Sequence, residues 1–254
     1  YRTNSTRSYN FQSLVGGVYN FPDKRSFFDG FLHPVNGYHS FRKDYCTSMV
    51  FKPRKDLNMP IYYDFDFKTK EQISIPTSAM VELSKEIFKI LGEDPPKFLL
   101  TRRCHCYYKT TKSEQYWASG FHLWVFGKYS TPKATELRLK CLAAGVLDDF
   151  LKRYNIYNSP SDAFDQSPAI RSNGLIIIGD RKPNVDCSPH FIAFYSVVGE
   201  LDYGWELKRH GLFTSLLSKM YNFIWAPQKN IKTDQPKPNT KICLTLTQDE
   251  EKVQ

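Results

Sequence analysis

The order of strand-like and helix-like segments predicts an α+β fold, with mixed or antiparallel sheets flanked by helices. Three observations carry this expectation. Aromatic and β-branched runs at 60–67, 97–108, 116–127, 174–179 and 191–198 read as strands. The runs 97–108 and 116–127 flank a polar turn at 110–115 and read as a hairpin. Apolar residues at helical spacing mark helices at 77–91 and 132–153, so the order is strands, helix, hairpin, helix, strands. That order argues against a doubly wound parallel sheet.

Each element has a local reason. Residues 1–44 are rich in Asn, Ser, Gly, Tyr and Phe with weak periodicity, and read as an irregular or helical N-terminal cap. Tyr45 to Lys52 alternates loosely, like a strand, and Pro60 opens the next one. Gly92 stops the first helix. Pro132 starts the second, where Leu137, Cys141, Ala144, Leu147 and Leu151 make an apolar stripe. Residues 155–172 read as a loop with two prolines, and 211–225 as a helix. From Pro227 the chain is rich in Lys, Pro, Thr and Gln, as expected of a linker leading to a further domain. The first residue is Tyr1, not Met, as expected of a piece of a longer protein.

The 254 residues, 41% of them hydrophobic, suffice for one large domain or two small ones. A net charge of +9 and a pI of about 9.1 favour a polyanionic partner. Aromatic residues make up 15% of the chain and, interleaved with Lys and Arg, suit stacking on bases. The plainer alternative is that they fill the core. No run approaches the ~18 apolar residues of a membrane span, so no membrane partner is expected. Six scattered cysteines (Cys46, Cys104, Cys106, Cys141, Cys187, Cys243) fit a reducing, intracellular compartment. No G-x-x-x-x-G-K-[ST] or G-x-G-x-x-G occurs, so no P-loop ATPase is indicated.

The strongest chemical signal is Tyr63-Asp64-Phe65-Asp66-Phe67 within the strand at 60–67. Side chains alternate along a strand, so Asp64 and Asp66 share a face. Two adjacent carboxylates repel and need compensation, commonly a divalent cation. Two solvated aspartates on an edge strand are the plainer alternative. Further along come Ser119-Gly120-Phe121-His122, where Gly120 would permit close approach of a ligand, and Phe164-Asp165 at the edge of a loop. Last comes the basic turn Gly179-Asp180-Arg181-Lys182-Pro183-Asn184.

In this order the four motifs resemble the archaeo-eukaryotic primase superfamily, in particular the primase part of the primase–helicases of poxviruses and other large DNA viruses. The resemblance covers roughly residues 45–200. It implies a primase-like core with an RRM-like catalytic unit, and divides the chain into a cap at 1–44, a catalytic domain at 45–225 and a tail at 226–254. It further implies a DNA primase or primase–polymerase that makes short primers on single-stranded DNA during replication. Asp64, Asp66 and Asp165 would be catalytic metal ligands for two Mg²⁺ or Mn²⁺ ions. Ser119, His122, Arg181 and Lys182 would bind the nucleotide, an NTP or dNTP. The family places an Arg directly after the Leu matched by Leu175, where this chain has Ile176, and Arg171 would substitute for it. A hexameric helicase domain would follow in the same polypeptide, and the setting would be a viral replication site or the host cytoplasm or nucleus.

A metal-dependent nuclease would also use clustered carboxylates, but does not account for Ser119-Gly120-Phe121-His122. A single-strand-binding module accounts for charge and aromatics, but not for three spaced aspartates in a basic chain. Cys104-His105-Cys106 with Cys187-Ser188-Pro189-His190 is too poor a match for structural zinc, and free thiols are the expectation.

Overall fold

The computed structural model describes residues 2–3, 11–14, 16–19, 21, 23–27, 49–51, 58–92, 97–103, 105–171, 174–176, 191–196 and 199–200. The first elements are β1 (Arg2–Thr3), β2 (Phe11–Ser13), β3 (Val18–Tyr19), α1 (Lys24–Phe27), β4 (Met49–Phe51) and β5 (Met59–Thr69). Next come α2 (Thr77–Leu91), β6 (Phe98–Arg102), β7 (Tyr107–Thr110) and β8 (Gln115–Tyr129). The last are α3 (Thr131–Ala143), α4 (Asp148–Arg153), α5 (Pro160–Ala163), α6 (Gln166–Ala169), β9 (Leu175–Ile176), β10 (Phe191–Tyr195) and β11 (Gly199–Glu200). The strands pair antiparallel in two sheets, ordered β1-β3-β2-β4-β9 and β11-β10-β6-β8-β5, with β7 also beside β8. The α+β class expected from the sequence is the class observed.

The β5–β8 ladder is the spine. On one face Ile61, Tyr63, Phe65 and Phe67 join Phe121, Leu123, Met80, Ile87 and Leu137 in a single buried core under α2 and α3. Alternation sends Asp64 and Asp66 to the opposite face. Deep in the core the Tyr63 hydroxyl donates to the Ala134 carbonyl over 2.9 Å, tying β5 to α3.

β5 lies at the end of its sheet, and the segment around 157–165 covers its open edge. Tyr157 N–H donates to the Lys68 carbonyl (3.1 Å), Lys68 N–H to Asn158 Oδ1 (3.1 Å), and Asn158 Nδ2 to the Asp66 carbonyl (2.8 Å). Such cover satisfies backbone groups that an edge strand would otherwise expose. The stretch expected to be a loop contains α5 and α6 and docks along β5.

Three other expectations are corrected. The helix expected over 132–153 is two, α3 and α4. Gly145 takes a left-handed φ of +65° between them, and its N–H bonds the Leu142 carbonyl at 3.1 Å. The stripe hid this break because α4 turns back onto the same core: Leu137, Cys141, Leu147 and Leu151 are all buried, while Ala144 is exposed. The strand expected over 97–108 is interrupted at 103–106, so β6 and β7 pair separately with β8. Within 1–44, where an irregular or helical stretch was expected, the described residues include the three short strands β1, β2 and β3 as well as the helix α1. Phe11 on β2 is fully buried, packed edge-on to Phe21 and Phe51. Strands of two or three residues are too short to register as periodicity. Residues 177–190 and 201–254, which include the basic turn, the helix expected at 211–225 and the tail, lie outside the described residues, as do Cys104, Cys187 and His190.

Candidate active site

Backbone pairing fixes where the motifs meet. In the β5–β8 register Asp64 lies opposite His122 and Asp66 opposite Gly120. Directly opposed residues on an antiparallel pair share a face, and the His122 Nε2 to Asp64 Oδ1 distance is 3.3 Å. His122 is largely buried, and its ring lies 5.1 Å from that of Tyr62. Ser119 is an odd number of residues from His122, and its register partner is Phe67 on the core-facing side. Alternation therefore places Ser119 and His122 on opposite faces of β8, although both line the same cavity.

Asp165 reaches the pair from another part of the chain. Phe164 makes an isolated antiparallel bridge with Phe65, and its ring stacks on Phe65 at 4.4 Å. Phe65 in turn stacks on Phe121 at 4.4 Å, so three aromatic rings clamp the segment. One residue later, Asp165 N–H donates to the Asp64 carbonyl over 2.9 Å. The Asp165 carboxylate also accepts from Ser167 N–H at 2.9 Å, capping α6. Each of Asp64, Asp66 and Asp165 can offer one ligand oxygen, and these oxygens lie within 4.8 Å of one another. Three carboxylates so close repel strongly, and an all-oxygen set suits a hard divalent cation such as Mg²⁺ or Mn²⁺.

Nothing in the residue pattern pointed to Arg138. Its side chain is buried in α3 and donates to the Phe164 carbonyl through Nε (2.9 Å) and Nη2 (2.5 Å), and to the Ser161 carbonyl through Nη2 (2.9 Å). Burial holds this guanidinium below its ordinary pKa range, against the pull of the Asp165 charge. Arg138→Met keeps the bulk but orphans two carbonyls next to the third carboxylate. It should cost about 2–3 kcal/mol in chemical denaturation and weaken Mn²⁺ binding. Unchanged Mn²⁺ affinity would show that Arg138 does not position Asp165.

The acids line a cavity of about 340 Å³, within the range of small-molecule sites. Its walls come from both sheets, including Gln12 and Val50 from the smaller one. Ile176, where the resemblance would place an Arg, is a buried wall residue paired with Val50. Arg171 does not line the cavity. It is buried at a left-handed φ of +53°, with Nη2 donating to the Tyr129 carbonyl over 2.8 Å. Arg181 and Lys182 lie outside the described residues. Arg102 at the end of β6, Tyr107 at the start of β7, and Arg103 and His105 between them line the cavity and were not foreseen, because the sequence there read as continuous strand.

The cysteines near the core are free thiols where described: Cys106 is half-buried, and burial pushes the Cys141 thiol up to about 11, which leaves it inert. Among the described residues no helix is long and apolar enough to cross a membrane.

A model of the C962R protein N-terminal AEP domain matches residues 15–191, a stretch that holds all three carboxylates and His122. No curated protein matches the chain. With more than half of its length matched, and with the aspartates of its separated motifs brought close together, the chain belongs to the C962R N-terminal AEP domain family of the archaeo-eukaryotic primase superfamily, related to the viral primase–helicase.

Proposed function

We propose that this domain is a DNA-dependent nucleotidyltransferase, a primase or primase–polymerase that builds short primers on single-stranded DNA. Its family supports a nucleotidyltransferase of primase/polymerase type. The observation that carries the finer reading is the convergence of Asp64, Asp66 and Asp165 beside His122, in a cavity that also holds arginines.

Asp64, Asp66 and Asp165 would hold the divalent ions, Mg²⁺ or Mn²⁺. Once bound, such ions offset charge on the attacking and leaving oxygens of an in-line displacement. The 3′-oxygen of one nucleotide forms a bond to the α-phosphorus of the next. The α–β anhydride bond breaks, pyrophosphate leaves, and the hydroxyl proton passes to solvent. His122 has two roles open to it: a hydrogen bond that orients the Asp64 carboxylate, and donation to a phosphate oxygen. Ser119 supports the nucleotide from the cavity wall. Arg181 and Lys182 would add positive charge for the pyrophosphate, with Arg171 acting from behind the wall. Net positive charge would hold the template by its backbone, so base pairing selects the nucleotide. A helicase domain following in the same polypeptide would supply the single strand.

Incubation of the protein with single-stranded DNA, labelled nucleotides and Mg²⁺ or Mn²⁺ tests the reading. New oligomers are expected, and parallel NTP and dNTP reactions define the sugar preference. Degraded template would identify a nuclease instead, and a gel shift without product a binding module.

A further inference from the structure

We propose that Arg103, on the β6–β7 turn, anchors the polyphosphate of the incoming nucleotide; this rests on the nucleotidyl-transfer reading and assigns a phosphate corner to that site. Strand register explains why the turn enters the cavity. Arg102 pairs with Phe121 and Tyr107 with Ala118, so the chain between these two pairs is two residues longer on the β6–β7 side than on β8. An unequal length breaks the ladder there, and Arg103 and His105 line the cavity that holds the aspartates.

The two adjacent arginines are committed differently. Arg102 is a structural cation: Nη1 donates to the Ile75 carbonyl (2.7 Å) and Thr77 Oγ1 (3.2 Å), and Nε to the Arg103 carbonyl (3.2 Å). The Arg103 guanidinium lies over the Tyr107 ring, 5.1 Å from its centre, and its Nε is buried with no hydrogen-bond partner among the described residues. A buried donor without an acceptor is uncommon in folded proteins and calls for an explanation. Stacking on Tyr107 holds the planar fork and limits the freedom lost on binding. The cavity thus presents clustered carboxylates and a poised cationic fork. A metal-chelated polyphosphate satisfies both, since its ions meet the carboxylates and its outer oxygens meet the arginine.

Phosphate in this cavity has two sources, the nucleotide or the nucleic-acid strand, and the test separates them. Binding of an α,β-methylene deoxynucleoside triphosphate, a deoxynucleoside monophosphate and single-stranded DNA is measured with Mn²⁺ present, for wild type, Arg103→Ala and Arg103→Lys. Arg103→Ala should weaken the triphosphate roughly 10- to 100-fold. The monophosphate, DNA and Mn²⁺ itself should be held as by wild type. Arg103→Lys should recover part of the loss, because it restores charge but not the fork. Wild-type triphosphate affinity in Arg103→Ala overturns the proposal, as does a loss confined to DNA or a collapse of Mn²⁺ binding with an altered melting temperature. If wild type binds Mn²⁺ and DNA but no triphosphate, the nucleotidyl-transfer reading falls with it.

Discussion

Replacing Asp64 and Asp66 together by alanine should abolish primer synthesis, by at least about a thousandfold, while single-stranded DNA binding stays within about twofold of wild type. The two effects separate because they rest on different physics. Phosphate-backbone binding draws on net positive charge, and losing two carboxylates does not diminish it. Synthesis draws on the carboxylate cluster, whose oxygens from all three aspartates lie within 4.8 Å. Stability provides a second readout with an unusual sign. Without divalent ions the cluster is a site of mutual repulsion, so the double variant should melt no lower than wild type. With Mn²⁺ wild type should gain stability in proportion to RT ln(1 + [Mn²⁺]/Kd), and the variant should not. Melting curves with and without Mn²⁺, run beside a priming assay, measure both. A double variant that still makes primers, or that Mn²⁺ stabilises as much as wild type, would remove Asp64 and Asp66 from the metal site.

Much of this site was legible because its chemistry is local on the chain. Asp64 and Asp66 are two residues apart in an apolar run, and the strand period alone puts them on one face. Asp165 was legible only through the resemblance. What brings it to Asp64 is the Phe164–Phe65–Phe121 stack and one backbone hydrogen bond, and neither leaves a periodic trace. Arg138 and Arg103 were invisible for the same reason. One is a cation buried in an apparently ordinary helix. The other enters the cavity because β6 and β7 are out of step with β8 by two residues, a mismatch that exists only once the strands pair. Ser119 and His122 belong to one motif, and although the strand period puts them on opposite faces of β8, both line the cavity.

Gly120→Ala should be among the most damaging single substitutions in the described core, through the backbone alone. The glycine, expected to let a ligand approach the strand, lines the cavity and also lets the neighbouring strand come close. A Cβ at Gly120 would sit 1.9 Å from the Phe65 carbonyl oxygen and 3.0 Å from its carbon. These are backbone atoms of β5, which cannot swing aside as a side-chain tip can. The φ of +150° adds strain for any L side chain. Relief requires β5 and β8 to separate at the point where Asp66 opposes Gly120 and Asp64 opposes His122, which also loosens the Phe65 stack holding Phe164. The expected cost is about 3 kcal/mol or more, with Mn²⁺ affinity and primer synthesis falling together. Gly145→Ala is the control. It also sits at positive φ, but its new Cβ meets only the flexible end of the Asp148 side chain, at 2.8 Å, and about 1 kcal/mol is expected. Denaturant titration of the two variants decides the matter: equal, small losses would mean that the β5–β8 spacing does not depend on a bare backbone at Gly120.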